Sequence, residues 1–164
     1  LQCVETPHPI ACLRLLLLTG LRLGEVRDMH WNDVDLARGT LRLRDSKTGA
    51  RTVPLNEQAI VVLQNHAVTK TDQFVIQSAT GHGRPSLGKP WQRIRKLAGI
   101  DDSANIHCLR HTFASWAVMG GLSLAQTGAL LGHKSTQTTL RYADHLTEAV
   151  RGYSQKTADM IAGE

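Results

Sequence analysis

The sequence predicts a mostly helical α+β fold with a small three-stranded antiparallel sheet. Three observations predict it. Apolar residues recur at helical spacing through most of the 164 residues. One stretch, Thr40-Leu-Arg-Leu-Arg44, alternates apolar with charged, and extended character resumes at Arg51-Thr-Val-Pro-Leu55 beyond the turn chemistry of Ser46-Lys47-Thr-Gly49. A short apolar run, Phe74-Val-Ile76, supplies a third strand.

Pro9 followed by Ile10, Cys12, Leu13, Leu16 and Leu17 predicts a first, buried helix that Gly20 ends as a left-handed cap. Arg22 then falls in a tight turn before a short helix over 23–29, and Glu25, three residues on, can reach back to orient its guanidinium. The hairpin follows with Lys47 at or near its tip. Asn56 caps a helix whose apolar face includes Ile60, Leu63 and Ala67. The segment 80–85 lacks periodicity and reads as a loop. From Ser86 a helix carries Trp91, Ile94 and Leu97 until Gly99 stops it. The next helix holds His107, Arg110 and His111 on one side and Leu109, Phe113 and Trp116 on the other, and closes at Gly120-Gly121. Ser123 and Gln126 form a capping box, Gly132 ends that helix and turns His133 outward, and a helical turn from about Ser135 carries Tyr142. A tail helix spans about 146–162.

Composition narrows the function classes. Nineteen Lys and Arg against fourteen Asp and Glu give a formal charge of +5, which suits a polyanionic partner without requiring one. Cys3, Cys12 and Cys108 lack metal-type spacing and cannot all pair internally, so a reducing, intracellular setting is the default reading. The leucine run from Leu15 to Leu18 falls far short of the roughly 20 apolar residues of a membrane span. No signal peptide is evident, and the absence of an initial methionine points to a fragment of one domain's length.

The chemistry concentrates in His107-Cys-Leu-Arg110-His111, then Leu-Gly-His133, then Tyr142, with Arg22 far upstream. A guanidinium offers a planar fork for two phosphate oxygens, and an imidazole donates to an oxygen or moves a proton. A phenol downstream of such a cluster points to chemistry on a phosphate. Singly, each residue has an ordinary reading: Arg22 as a surface arginine, Lys47 as a solvated turn lysine, Tyr142 as packing, His133 as the residue after a helix stop, Glu25 as a helix-surface ion pair. His107 and His111 are spaced as a metal pair, but no glutamate lies between them and no third ligand is evident.

In this order and at these distances the residues resemble the catalytic domain of the tyrosine recombinase (phage integrase) family. The resemblance runs from Thr19-Gly-Leu-Arg22-Leu-Gly-Glu25 through Ser46-Lys47-Thr-Gly49 and His107-x-x-Arg110 to Leu131-Gly-His133 and Tyr142. It implies an active site of Arg22, Lys47, His107, Arg110, His133 and the nucleophile Tyr142, with Glu25 and His111 in supporting places. It also implies a site-specific DNA recombinase that cleaves and rejoins strands through a 3′-phosphotyrosyl ester. Two arginines neutralising the phosphate leave no metal or other cofactor expected. The implied partner is double-stranded DNA, bound by a full-length homotetramer on two sites, with the isolated domain expected as a monomer and no membrane involved. An N-terminal core-binding domain, absent from this chain, is implied before it, in a bacterial or phage-encoded cytoplasmic protein. Two rival readings share the fold: a DNA-binding accessory module that no longer cuts, and a type IB topoisomerase.

Overall fold

The computed structural model describes residues 5–44, 49–67, 73–78, 85–133 and 135–162. The chain divides into two compact units, Leu1–Arg110 and His111–Glu164.

The first unit begins with α1 (Pro7–Thr19), which starts two residues earlier than Pro9 and ends as predicted on Gly20 in the left-handed region (φ 63°). The cap lets the Gly20 N–H reach the Leu16 carbonyl at 3.1 Å. A short helix, α2 (Leu23–Arg27), follows; it stops two residues short of the expected 29, the backbone leaving helical geometry at Asp28 (φ −97°, ψ 8°).

Strands β1 (Val34–Asp35), β2 (Thr40–Leu43) and β3 (Arg51–Pro54) form a three-stranded antiparallel sheet in chain order, with Val34 opposite Leu41 and Leu41 opposite Val53. The β2–β3 pair is the predicted hairpin; Lys47 and its neighbours 45–48 lie outside the described residues. The third strand differs from the expectation. Val34–Asp35 takes that place, joined to β2 by a turn in which Asp35 accepts the Arg38 N–H at 2.9 Å and Gly39 adopts φ 61°. Phe74 makes only an isolated bridge with His30, flanked by Trp31 N–H to Gln73 O and Val75 N–H to Met29 O, both 2.9 Å. Val75 and Ile76 are both buried, so this run packs into the core on consecutive residues and does not alternate along a sheet face.

Asn56 caps α3 (Glu57–Ala67), its side-chain oxygen accepting the Ala59 N–H at 2.9 Å. The next helix, α4 (Gly88–Leu97), begins two residues after Ser86, and Gly99 beyond it has φ 65°. The core of this unit joins Cys12, Leu15 and Leu16 of α1 to Leu21, Val26, Leu41, Val53, Leu63, Val75 and Ile76. Burial pushes the Cys12 thiol up to about 12, so it behaves as a small apolar residue. Leu17 departs from the buried reading of the leucine run at 40% exposure.

A histidine pair ties the ends of α1 and α3. His66 and His8 meet edge to face, His66 Nε2 lying 2.8 Å from His8 Nδ1, which also accepts the Gln77 N–H at 3.2 Å. Because His8 Nδ1 accepts from a backbone N–H, it is unprotonated, and His66 Nε2 carries the shared proton. Burial lowers the pKa of both rings, and the His8 ring further disfavours charge on His66. Their folded values lie below their unfolded values, so the unfolded chain takes up protons first as pH falls. The pair's contribution is whole above the ordinary histidine value of about 6.5 and declines as pH drops through it toward the folded values. We expect the thermal midpoint to fall between about pH 7 and pH 5, and to fall less in His8→Ala. A drop of equal size in both proteins would contradict this.

The helix α5 (Cys108–Met119) crosses the boundary between the units. It corrects two expectations. His107 precedes the helix, because the Asn105 side chain takes the His107 N–H at 2.9 Å and the His107 carbonyl receives Arg110 N–H at 3.1 Å. The packing side is also different in part: Leu109 and Phe113 pack against the cores as expected, but Arg110, Ala114 and Val118, four apart, are buried and Trp116 is 73% exposed. Small side chains at 114 and 118 let this face approach its neighbours closely, which a tryptophan would prevent.

In the second unit, α6 (Leu124–Leu131) opens on the predicted capping box: Gln126 N–H to Ser123 Oγ at 3.2 Å and Ser123 N–H to Gln126 Oε1 at 2.8 Å. Gly132 ends it in the left-handed region (φ 66°). Two 3-10 turns, Thr136–Thr138 and Leu140–Tyr142, lead into α7 (Ala143–Ala162), which starts three residues earlier than 146. This unit has its own small core of Ala114, Val118, Leu131 and Tyr142, with Phe113 and Leu124 against it. Among the described residues no helix is long and apolar enough to cross a membrane.

Candidate active site

In the first unit the site grows from the turn that ends α1. Once Gly20 has reversed the chain, Leu21 is buried and Arg22 becomes the extended residue that starts α2 (φ −74°, ψ 151°). Glu25 holds Arg22 twice, accepting its backbone N–H at 2.8 Å and its Nη1 at 2.9 Å. The helix start and the guanidinium orientation are therefore one structure. Arg51 of β3 adds a contact from its Nη2 to the same carboxylate at 3.4 Å. Glu25 is only 7% exposed there, a buried carboxylate flanked by two guanidinium groups, while Arg22 keeps 26% of its side chain open.

Arg110 reaches the same turn from the start of α5. It is 4% exposed, and its Nη1 donates to the carbonyl of Gly20 at 2.5 Å. Two arginines separated by 88 positions thus meet on one three-residue stretch, Gly20 to Arg22. His107 lies exposed just before α5. Its neighbour Cys108 is no rival nucleophile, since partial burial pushes its thiol above the ordinary range.

In the second unit, the Tyr142 side chain is 5% exposed and its phenolic oxygen lies 2.7 Å from His111 Nδ1, the rings tilted 47° with centroids 6.0 Å apart. His111 therefore sits directly on the phenol. His133, expected to turn outward, is half-buried: its Nδ1 lies 2.9 Å from the hydroxyl of Thr139 and its N–H donates to the Gly128 carbonyl at 2.9 Å.

The structure thus brings Arg22, Glu25 and Arg110 together in one unit, and His111 with Tyr142 in the other. Lys47 lies outside the described residues. Sequence reasoning missed Arg51, the Gly20 carbonyl and Thr139. Arg51 and Gly20 act across 26 and 90 positions, where no local pattern signals a partner. Among the described residues no three His, Cys, Asp or Glu side chains converge as a metal site.

Comparison with known proteins bears on this arrangement. The sequence pattern described as the phage integrase family matches residues 3–149. The chain is 31% identical to "Tyrosine recombinase XerD" of Proteus mirabilis over 94% of its own length and 54% of that protein's. It is 34% identical to "Tyrosine recombinase XerC" of Chlorobaculum tepidum, covering 89% of this chain and 47% of the relative. It therefore spans about half the length of these curated relatives. The crystal structure of XerA recombinase superposes with a TM-score of 0.74 at 26% identity, covering 92% of this chain and 57% of that one. XerH recombinase, bound to a palindromic difH substrate after cleavage, superposes at 0.76 with 20% identity, covering 92% and 47%, which speaks to the fold alone. The catalytic-domain fold expected from the sequence is the fold these structures share, and the chain belongs to the phage integrase family of tyrosine recombinases.

Proposed function

We propose that this chain is the catalytic domain of a site-specific DNA recombinase, part of a longer protein that cuts and rejoins DNA without a metal ion. The observation that carries the reading is the Tyr142 phenol with an imidazole nitrogen 2.7 Å from its oxygen, a nucleophile next to a proton acceptor. The name of each curated relative above, a tyrosine recombinase, supports it.

In this reading the Tyr142 oxygen attacks a DNA phosphorus, its proton passes to His111, and the bond to the 5′ oxygen breaks. Lys47 protonates the departing oxygen, since an ammonium can give up a proton where a guanidinium cannot. The product is a 3′-phosphotyrosyl ester and a free 5′ hydroxyl. One phosphodiester is exchanged for another, so bond energy is retained. A phenol, with a pKa near 10, leaves more readily than an alkyl alcohol, and a new 5′ hydroxyl reverses the step to reseal the strand. Arg22 and Arg110 neutralise the non-bridging oxygens, His107 and His133 donate to them, and Glu25 holds Arg22 in place. The full-length protein acts as a homotetramer on two duplexes, and the formal charge of +5 suits that partner.

The test is a nicked suicide DNA substrate offered to the full-length protein, with adduct read on a denaturing gel. Adduct should accumulate undiminished in EDTA. A strict divalent-metal requirement would contradict the arginine-clamp mechanism, and no adduct across varied sites would favour the non-cutting accessory module. Relaxation of supercoils by a monomer without exchange between two sites would favour the topoisomerase.

A further inference from the structure

We propose that Thr139 is a positioning residue that sets the tautomer and direction of the His133 ring, through a slot that only glycine at position 128 leaves open. The proposal rests on the reading of His133 as a phosphate donor and deepens it.

Thr139 is fully buried, and its Oγ1 lies 2.9 Å from His133 Nδ1. A buried hydroxyl needs an acceptor for its proton, and His133 Nδ1, 2.9 Å away, can take it. With Nδ1 accepting, a neutral imidazole carries its own proton on Nε2. That is the edge His133 must present if it is to donate to a phosphate oxygen. Without the hydroxyl, nothing in this hydrogen bond selects the Nε2 tautomer.

Gly128 makes this arrangement possible. A Cβ built there would lie 2.8 Å from Thr139 Oγ1, closer than real Cβ contacts come. The Gly128 carbonyl also accepts the His133 N–H at 2.9 Å. One glycine in α6 thus fixes the backbone of His133 and leaves room for the hydroxyl that fixes its ring. Thr139 has a second tie: its own carbonyl receives the Tyr142 N–H at 3.0 Å. A single buried threonine therefore links the ring proposed to hold the phosphate to the backbone of the proposed nucleophile.

The full-length protein labelled with ¹⁵N-histidine gives the direct test. At a pH where His133 is neutral, its NMR signals should show the proton on Nε2; a proton on Nδ1 in the unmodified protein overturns the proposal before any variant is made. Thr139→Val, close to threonine in shape but without the hydroxyl, should lose that preference and form covalent adduct about ten- to hundredfold more slowly. Its DNA affinity and thermal midpoint should stay near the parent's. Thr139→Ser should restore both tautomer and rate, and Gly128→Ala should disturb the tautomer with Thr139 still present. An unchanged tautomer in Thr139→Val, or a serine variant as slow as the valine, overturns the proposal. His133→Ala separates the two levels: if it cleaves normally, the phosphate role of His133 fails, while the tautomer measurement still judges Thr139.

Discussion

Tyr142→Phe should form no covalent adduct with a nicked suicide substrate while binding the same DNA within about twofold of the parent. The variant removes one oxygen. That oxygen makes the hydrogen bond to His111 and is the only atom of the side chain able to attack phosphorus. The ring itself stays in the small core with Ala114, Val118 and Leu131, so packing is preserved. Loss of the hydrogen bond should cost about 1 kcal/mol of stability, too little to unfold a domain. Adduct is scored on a denaturing gel, affinity by titration and folding by thermal melting. A large fall in affinity would make the tyrosine a structural residue, and persistent adduct would assign the nucleophile elsewhere.

The second large effect is expected from Arg110→Lys. Lysine keeps the charge but replaces a planar five-donor fork with a point charge on a flexible stem. In the structure one arm of that fork is committed to the Gly20 carbonyl, which orients the rest of the guanidinium. A lysine ammonium that satisfies the carbonyl cannot also present a matched pair of donors to phosphate oxygens. Cleavage should slow by about 10² to 10³, the usual consequence of losing one preorganised donor to a transition state, with DNA affinity reduced only a few-fold. Arg110→Ala should cleave no better and should also melt earlier, because the Gly20 carbonyl loses its partner at a cost of about 1–3 kcal/mol. Single-turnover cleavage and melting, measured on both variants, separate chemistry from folding. A lysine variant that cleaves at the parent's rate would remove Arg110 from the chemistry.

What could be read from the sequence was local. The left-handed Gly20, the Ser123–Gln126 capping box, the Asn56 cap and the β2–β3 hairpin each depend on residues within a few positions of one another. Side-chain chemistry at that range leaves a pattern in the chain. Glu25 holding Arg22 was legible for the same reason, at i and i+3. Long-range choices were not. Val34–Asp35 joins the sheet on two residues, too few to alternate, whereas Phe74-Val-Ile76 has strand composition but spends it on core packing. On α5 Leu109 and Phe113 pack as their spacing suggested, yet Ala114 and Val118 are buried as well and Trp116 stands exposed. Volume at the contact decided that face, and periodicity does not report volume. The site followed the same division. Its residue types were readable, but the seating of His111 on Tyr142 across 31 positions and of Arg110 on Gly20 across 90 arises only in the folded chain.

The 3-10 turns beneath Tyr142 have a consequence for how firmly the backbone there is held. A residue in the middle of α6 is held by a capped helix, and displacing it would break a cooperative run of bonds. Tyr142 instead ends a single three-residue turn whose closing bond, from its N–H to Thr139, is of the weaker i to i+3 kind, and the turn before it closes at 3.3 Å. On the side of Tyr142 that precedes α7, little backbone energy therefore holds it. What fixes the ring is the small core it belongs to, Leu131 with Phe113 and Leu124 packed against it. Substitutions there should loosen the seat of the phenol while leaving every hydrogen-bonding group around it unchanged.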